Sequence, residues 1–270
     1  MARISPLWRS QELTVYRFDH PVEHEDQPYE EVAEGYRASF VEGGDFDLHV
    51  GDRSWRLTAG DVMLSHPGMR FAAGFQGKGF NDVCLSIVYE TAEQDGFDPD
   101  RSWRASGRHA LKATNRLRYL RWGLQRGVEA GAHMLTEYCA TEIFRAEPSE
   151  RDRQLFRDKT LAWYAERVTY ARERMHTEFA EDLSTSDLAR SVGMSLFHFS
   201  RVFAELTGRP PHTYLLDVRL EQAHAMLREG RSVTETCYAC GFNNLSHFSR
   251  LFASRRRMRP SEVARTRLAG

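Results

Sequence analysis

The chain has 270 residues, of which 41% are hydrophobic and 28% charged, the composition of a soluble globular protein of about two domains, which excludes disordered and collagen-like architectures. No apolar run approaches the ~20 residues that span a bilayer, and the start Met1–Arg9 has no apolar signal core, so a cytoplasmic protein with no membrane partner is expected. The net charge of −1 hides an asymmetry: residues 190–270 hold 13 Arg, no Lys and six Asp or Glu, a net of +7 against −8 for the rest, so any polyanion-binding surface is expected near the end.

The first ninety residues read as strands, with short alternating apolar runs at Leu13–Phe18, Arg37–Val41, Phe46–Val50, Ser54–Leu57, Val62–Ser65 and Val83–Tyr89. Turn residues separate them: Glu42-Gly43-Gly44-Asp45, Gly51-Asp52, Ala59-Gly60-Asp61 and Pro67-Gly68. The pattern predicts a small antiparallel barrel or sandwich. After Pro99 the period becomes helical, first through Leu111, Leu117, Leu120, Leu124 and Val128, then through Met134, Leu135, Tyr138, Cys139 and Ile143. Two such helices suit an antiparallel hairpin or a dimer seam. A longer helix from about Asp152 to Phe179 follows.

His198-Phe199-Ser200-Arg201-Val202-Phe203 recurs as His247-Phe248-Ser249-Arg250-Leu251-Phe252, 49 residues later, and Pro211 recurs as Pro260. The chain therefore repeats one supersecondary unit. Each copy reads as a short helix, a glycine turn, an N-capping residue and a second helix, the helix-turn-helix order. In the first, Ser186–Val192 leads, Gly193 turns and Ser195 caps; in the second, Thr234–Cys240 leads, Gly241 turns and Asn243 or Asn244 caps. A helix opened by Pro211 and ended by Gly230 joins them. Its ~27 Å length suits two reading helices one duplex turn apart.

Helical spacing buries Phe199, Val202, Phe203 and Leu206 in the first copy and Phe248, Leu251 and Phe252 in the second. It leaves Leu196, Phe197, Ser200 and Arg201 outward, and likewise Leu245, Ser246, Ser249 and Arg250. Arginine can bond guanine O6 and N7 together, so Arg201 and Arg250 lead for base readout, with phosphate contact as their alternative.

These residues resemble the AraC/XylS family of transcription regulators. The resemblance rests on Leu183-Ser184 with Asp187-Leu188-Ala189, Gly193-Met194-Ser195, Ser200-Arg201-Val202-Phe203, Arg219-Leu220-Glu221-Gln222-Ala223 and Ala239-Cys240-Gly241-Phe242 with Ser246–Phe252. It implies a domain with two helix-turn-helix units that binds double-stranded DNA and positions RNA polymerase. It puts base reading on Phe197, Ser200, Arg201, Leu245, Ser246 and Arg250, and phosphate contacts are expected at Ser195, Asn244, Arg255, Arg256, Arg257 and Arg259. The end departs from the family: Arg256, Arg257 and Arg259 before Pro260, and Val263 after it, replace an aromatic, a Gly, a small polar residue and a second aromatic. Losing that Gly C-cap costs local stability.

Through Asp52–Ser65 the first part looks like the cupin-type effector and dimerisation barrel of that family. The fold expected is α+β: a cupin-like antiparallel β-barrel over 1–100, a helical dimerisation segment over 101–160, and an all-α DNA-binding domain over 161–270. A small-molecule effector would sit among Tyr36, Trp55, Phe71, Phe75 and Phe80, residues that a packed core would equally use, and the protein would be a homodimer. The competing class is a metal-dependent cupin enzyme using His20, His24, His49 or His66. His20 and His24 form no H-x-H strand pair, however, and no histidine follows Pro67-Gly68 in Met69-Arg70-Phe71. No metal, cofactor or catalytic residue is therefore expected. Cys237 and Cys240 could be half a zinc site or a redox pair, but they align with Ala189 and Val192 of the first copy, so a buried structural role is expected.

Overall fold

Alternating burial along the chain builds its first part from strands, and a helical period builds its second. The computed structural model describes residues 3–19, 30–74, 83–89, 108–146 and 154–266, and the chain divides into two units, Met1–Leu161 and Ala162–Gly270. The strands are β1 (Arg3–Arg9), β2 (Leu13–Asp19), β3 (Glu30–Val32), β4 (Tyr36–Gly43), β5 (Asp45–Val50), β6 (Arg53–Thr58), β7 (Val62–Ser65), β8 (Arg70–Gly74), β9 (Val83–Tyr89) and β10 (Ala110–Leu111).

Among the described residues they form a six-stranded sheet, β1-β2-β9-β4-β7-β10, and a four-stranded sheet, β3-β8-β5-β6. Val41 and Cys84 of the larger sheet pack on Phe46, Leu48 and Leu57 of the smaller. This is a sandwich, and the expected barrel is not closed. Two of the edge strands, β3 and β10, have three and two residues, too few ladder bonds to join the sheets. Leu111, expected on a helix, lies in β10 opposite Val62. The helix begins only at Asn115, because Thr114 Oγ1 accepts the Leu117 N–H at 3.1 Å and caps it there.

The other face of the larger sheet carries α1 (Asn115–Ala130) and α2 (His133–Phe144). Tyr89 meets Phe144 edge-on at 5.5 Å, and Glu42 at the end of β4 accepts from Gln125 at 2.8 Å and Arg121 at 3.1 Å. The helices form an antiparallel hairpin in which Gly123 faces Cys139 and Gly127 faces Thr136.

The helices that follow are α3 (Asp158–Thr177), which begins in the last residues of the first unit, and then, in the second unit, α4 (Thr185–Ser191), α5 (Leu196–Thr207), α6 (Pro211–Arg228), α7 (Val233–Ala239), α8 (Leu245–Arg256) and α9 (Pro260–Thr266). Helix α3 is shorter than the span expected from about Asp152 to Phe179. Proline at its first turn suits α6, since the missing N–H would have had no helical partner. Leu220, Ala223 and Leu227 of α6 share one core with Cys237, Cys240, Phe242, Phe248, Phe252 and Val263. Arg257 ends α8 at φ 55° where Gly208 ends α5 at φ 80°. The side chain thus bears a left-handed conformation that costs about 1 kcal/mol in a non-glycine residue, and α9 forms beyond it.

Candidate nucleic-acid interface

The second helix of each pair is set by two caps and a glycine turn. Ser184 Oγ accepts the Asp187 N–H at 3.1 Å and opens α4, and Ser195 Oγ accepts the His198 N–H at 3.4 Å and opens α5. Phe199, Val202, Phe203 and Leu206 are buried, which turns the opposite side of α5 outward. There Arg201 is exposed, Ser200 is half-buried, and the Phe197 ring is 82% exposed, so it has no part in the core. Arg201 Nη2 lies 3.4 Å from His198 Nδ1, and His198 Nε2 lies 3.0 Å from the Tyr164 hydroxyl. With Nδ1 accepting from the guanidinium, Nε2–H donates to Tyr164, so α3 helps to orient Arg201.

The second pair repeats this construction. Ser232 Oγ accepts the Glu235 N–H at 3.1 Å, and Asn244 Oδ1 accepts the His247 N–H at 2.8 Å. Ser246 and Arg250 are exposed on α8. Leu245 is only half-exposed because it packs against the core of this pair, so less of it faces outward than its helical position suggested. Capping uses only the acceptor side of Ser195 and Asn244. The Ser195 O–H and the Asn244 amide N–H groups stay available to an incoming phosphate. Arg255, Arg256, Arg257 and Arg259 are all exposed, and Arg255 lies 3.8 Å from Asp217, itself bound to Arg209 at 2.8 Å.

Behind these surfaces lie polar contacts that the sequence pattern did not disclose. Arg172 Nε donates to the Tyr214 hydroxyl at 2.9 Å, and that hydroxyl lies 3.1 Å from His176 Nε2. The Tyr214 hydroxyl, accepting from Arg172, can donate its own proton to the Nε2 lone pair of a neutral His176. Burial, with Arg172 nearby, pushes the His176 pKa below its ordinary value. Because the folded value is depressed, the unfolded chain takes up this proton first. The stabilisation is complete above about pH 6.5 and is lost as pH falls through the folded value. Denaturant unfolding at pH 7.5 and 5.5 is expected to show the second unit weakening in acid, and His176→Gln is expected to reduce that loss; an unchanged acid loss in the variant would contradict it.

Arg219 of α6 donates to the carbonyls of Phe179 at 2.7 Å and Glu181 at 2.8 Å, fixing the segment between α3 and α4. Cys237 and Cys240 are fully buried. Burial pushes both thiols up, Cys240 to about 11, so neither is a thiolate at neutral pH and oxidant sensing is disfavoured.

In the first unit, Trp55 and Phe71 pack at the margin of the sandwich core. Tyr36 pairs with Tyr89, whose ring faces α2, so it lies on the opposite face of the larger sheet and is not brought together with them. Phe75, Phe80, His20 and His24 lie outside the described residues. His49 is exposed on the outer face of β5, and His66 Nδ1 lies 3.1 Å from the Pro67 carbonyl. Among the described residues no group of three or more His, Cys, Asp or Glu side chains is placed to hold a metal ion.

A helix-turn-helix domain model matches residues 188–266. The transcriptional activator RhaS of Salmonella arizonae is 27% identical over 249 residues, covering 89% of this chain and 80% of RhaS. A helix-turn-helix regulator from the cgkA 5′ region of Pseudoalteromonas carrageenovora is 33% identical over 92 residues, 34% of this chain and 55% of that protein. Among solved structures, a Chromobacterium violaceum transcriptional regulator of the AraC DNA-binding type is 32% identical over 39% of this chain and 96% of that one, with a TM-score of 0.37. A cupin superfamily protein from Desulfitobacterium hafniense is 20% identical over 33% of this chain and 77% of that one, with a TM-score of 0.27. The capped helix pairs, the domain match over residues 188–266 and the RhaS relatives together support an AraC/XylS-type transcriptional regulator.

Proposed function

We propose that the protein is a cytoplasmic, sequence-specific transcription regulator. Its two helix-turn-helix units, α4–α5 and α7–α8, read adjacent major grooves of double-stranded DNA and help position RNA polymerase. A small molecule in the first unit controls it, and α1–α2 contribute to a homodimer. The observation that carries this reading is the repeat itself: two capped helices, 49 residues apart, each present an unburied arginine on the side opposite its aromatic core. Phe197 offers apolar contact to a thymine methyl, while Ser200, Ser246 and the two arginines offer hydrogen bonds to base edges. Among the described residues no helix is long and apolar enough to cross a membrane.

The test is selection of duplexes from a random pool by the full-length protein at near-physiological salt. Two enriched boxes with centres about 10 base pairs apart are expected. A single box would restrict reading to one unit, and no enrichment with or without candidate effectors would reject sequence-specific binding. On the selected duplex, Arg201→Ala and Arg250→Ala are each expected to lose about 1–3 kcal/mol of binding and to relax preference at one base pair, as measured by titration against single-base variants. A loss that is equal for every sequence would make that arginine a phosphate contact.

A further inference from the structure

Strand register sorts the inward side chains of the larger sheet into rows. Phe18, Cys84 and Val41 form one row and belong to the apolar core with Phe46, Leu48 and Leu57. The adjacent row is Tyr16, Ser86 and Ser39, paired strand to strand. All three are buried, and the two serine hydroxyls bond at 2.8 Å. Met63 continues this row opposite Ser39 and packs in the same cluster as Trp55 and Phe71 of the facing sheet. A mutually bonded pair of hydroxyls adds little stability over apolar side chains of the same shape. Packing alone therefore does not require them.

The next position on this side of β4 is Arg37, exposed near the start of the strand, whose guanidinium lies 5.6 Å from the centre of the Tyr16 ring. On the outer faces the arginines are neutralised: Arg56 by Asp45 and Asp47, Arg70 by Glu30. Among the described residues Arg37 has no carboxylate within ion-pair distance, and Glu31, the carboxylate paired with Phe71 on the inward register, already has a partner. Beside Trp55, the His109 ring sits edge-on at 5.7 Å with its Nδ1 buried and unpartnered.

We infer that this polar end of the sandwich interior binds a small hydroxylated carboxylate, its carboxylate on Arg37, its hydroxyl on Ser39 and Ser86, and its body against Tyr16 and Trp55. The inference rests on the reading of the first unit as an effector domain and supplies the effector's chemical class. Charge-assisted bonds to the guanidinium give an acid its advantage over a neutral isostere.

The test is titration of the full-length protein with lactate, 3-hydroxybutyrate and 4-hydroxybenzoate, each beside its primary amide, read by thermal shift and tryptophan fluorescence. At least one acid is expected to raise the Tm and to bind about tenfold or more tightly than its amide. Arg37→Gln is expected to abolish that preference for acid over amide, and Ser39→Ala to weaken the acid about tenfold while keeping the preference. Amides binding as well as acids, or no compound binding, overturns the inference. Duplex selection on the same preparation separates the two failures. Enriched boxes without acid binding remove the carboxylate site and leave the regulator, whereas acid binding without enriched boxes does the reverse.

Discussion

Gly241→Ala is expected to destabilise the second helix pair by about 3 kcal/mol or more and, on the proposed two-unit reading, to remove one of two DNA boxes. Gly241 turns the chain from α7 toward α8 at φ 76°, and an added Cβ would stand 2.8 Å from the Ala180 carbonyl oxygen and 3.2 Å from Arg219 Cζ. The left-handed backbone alone costs a side chain about 1–2 kcal/mol. Overpacking adds about 1–3 kcal/mol where neighbours cannot give way. Here they cannot, because Arg219 clamps both sides of Ala180 through the carbonyls of Phe179 and Glu181. Gly193, at the matching turn of the first pair, has φ 68° but open space where its Cβ would go, so Gly193→Ala bears only the backbone cost. Denaturant unfolding of the two variants separates the terms. Equal losses would show that the clamp yields and that backbone conformation is the whole effect.

That contrast also marks how far the sequence could be read. The helix pairs are local objects: a Ser or Asn cap, a 3.6-residue apolar period and a glycine stop set each one, and their observed limits differ from the reading by a single residue at Thr185–Ser191 and Val233–Ala239. The clamp is not local. Arg219 and Arg172 fall at helical positions where an arginine reads as solvated surface, and only tertiary packing shows that they bond carbonyls and a tyrosine 38 to 42 residues away. In the first unit, β2, β4, β5, β6, β7 and β9 alternate and were legible. β1 contains Pro6 and is exposed on both faces for most of its length, so it carries no period to find. Which aromatic rings share an interior depends on register, a long-range property. Alternation within single strands therefore could not separate Tyr36 from Trp55 and Phe71, nor align Tyr16, Ser86 and Ser39 into one row.

The same dependence on long-range fit makes Gly127→Ala the most damaging change expected in the first unit, at about 3 kcal/mol or more. Its Cβ would collide with Thr136 Oγ1 and stand 3.0 Å from the Thr136 backbone nitrogen and 3.2 Å from its Cα. A rotamer change could move the hydroxyl, which donates to the Ala132 carbonyl at 3.0 Å, but it cannot move the backbone. α1 and α2 must separate, opening the packing of Leu120, Leu124, Ala140 and Ile143, all fully buried. Gly123→Ala is expected to cost less, because its nearest obstacle, Cys139 Sγ at 2.6 Å, is the end of a side chain. Denaturant unfolding should therefore rank Gly127→Ala below Gly123→Ala, and the reverse order would mean that the hairpin adjusts its backbone more readily than its cysteine. Both glycines are consumed within the chain, so a homodimer through this segment has to use the outward faces, where Met134 is 83% exposed. Met134→Glu is accordingly expected to weaken self-association in sedimentation measurements without the loss of stability seen in the glycine variants, since a charge placed there burdens an interface and not the hairpin.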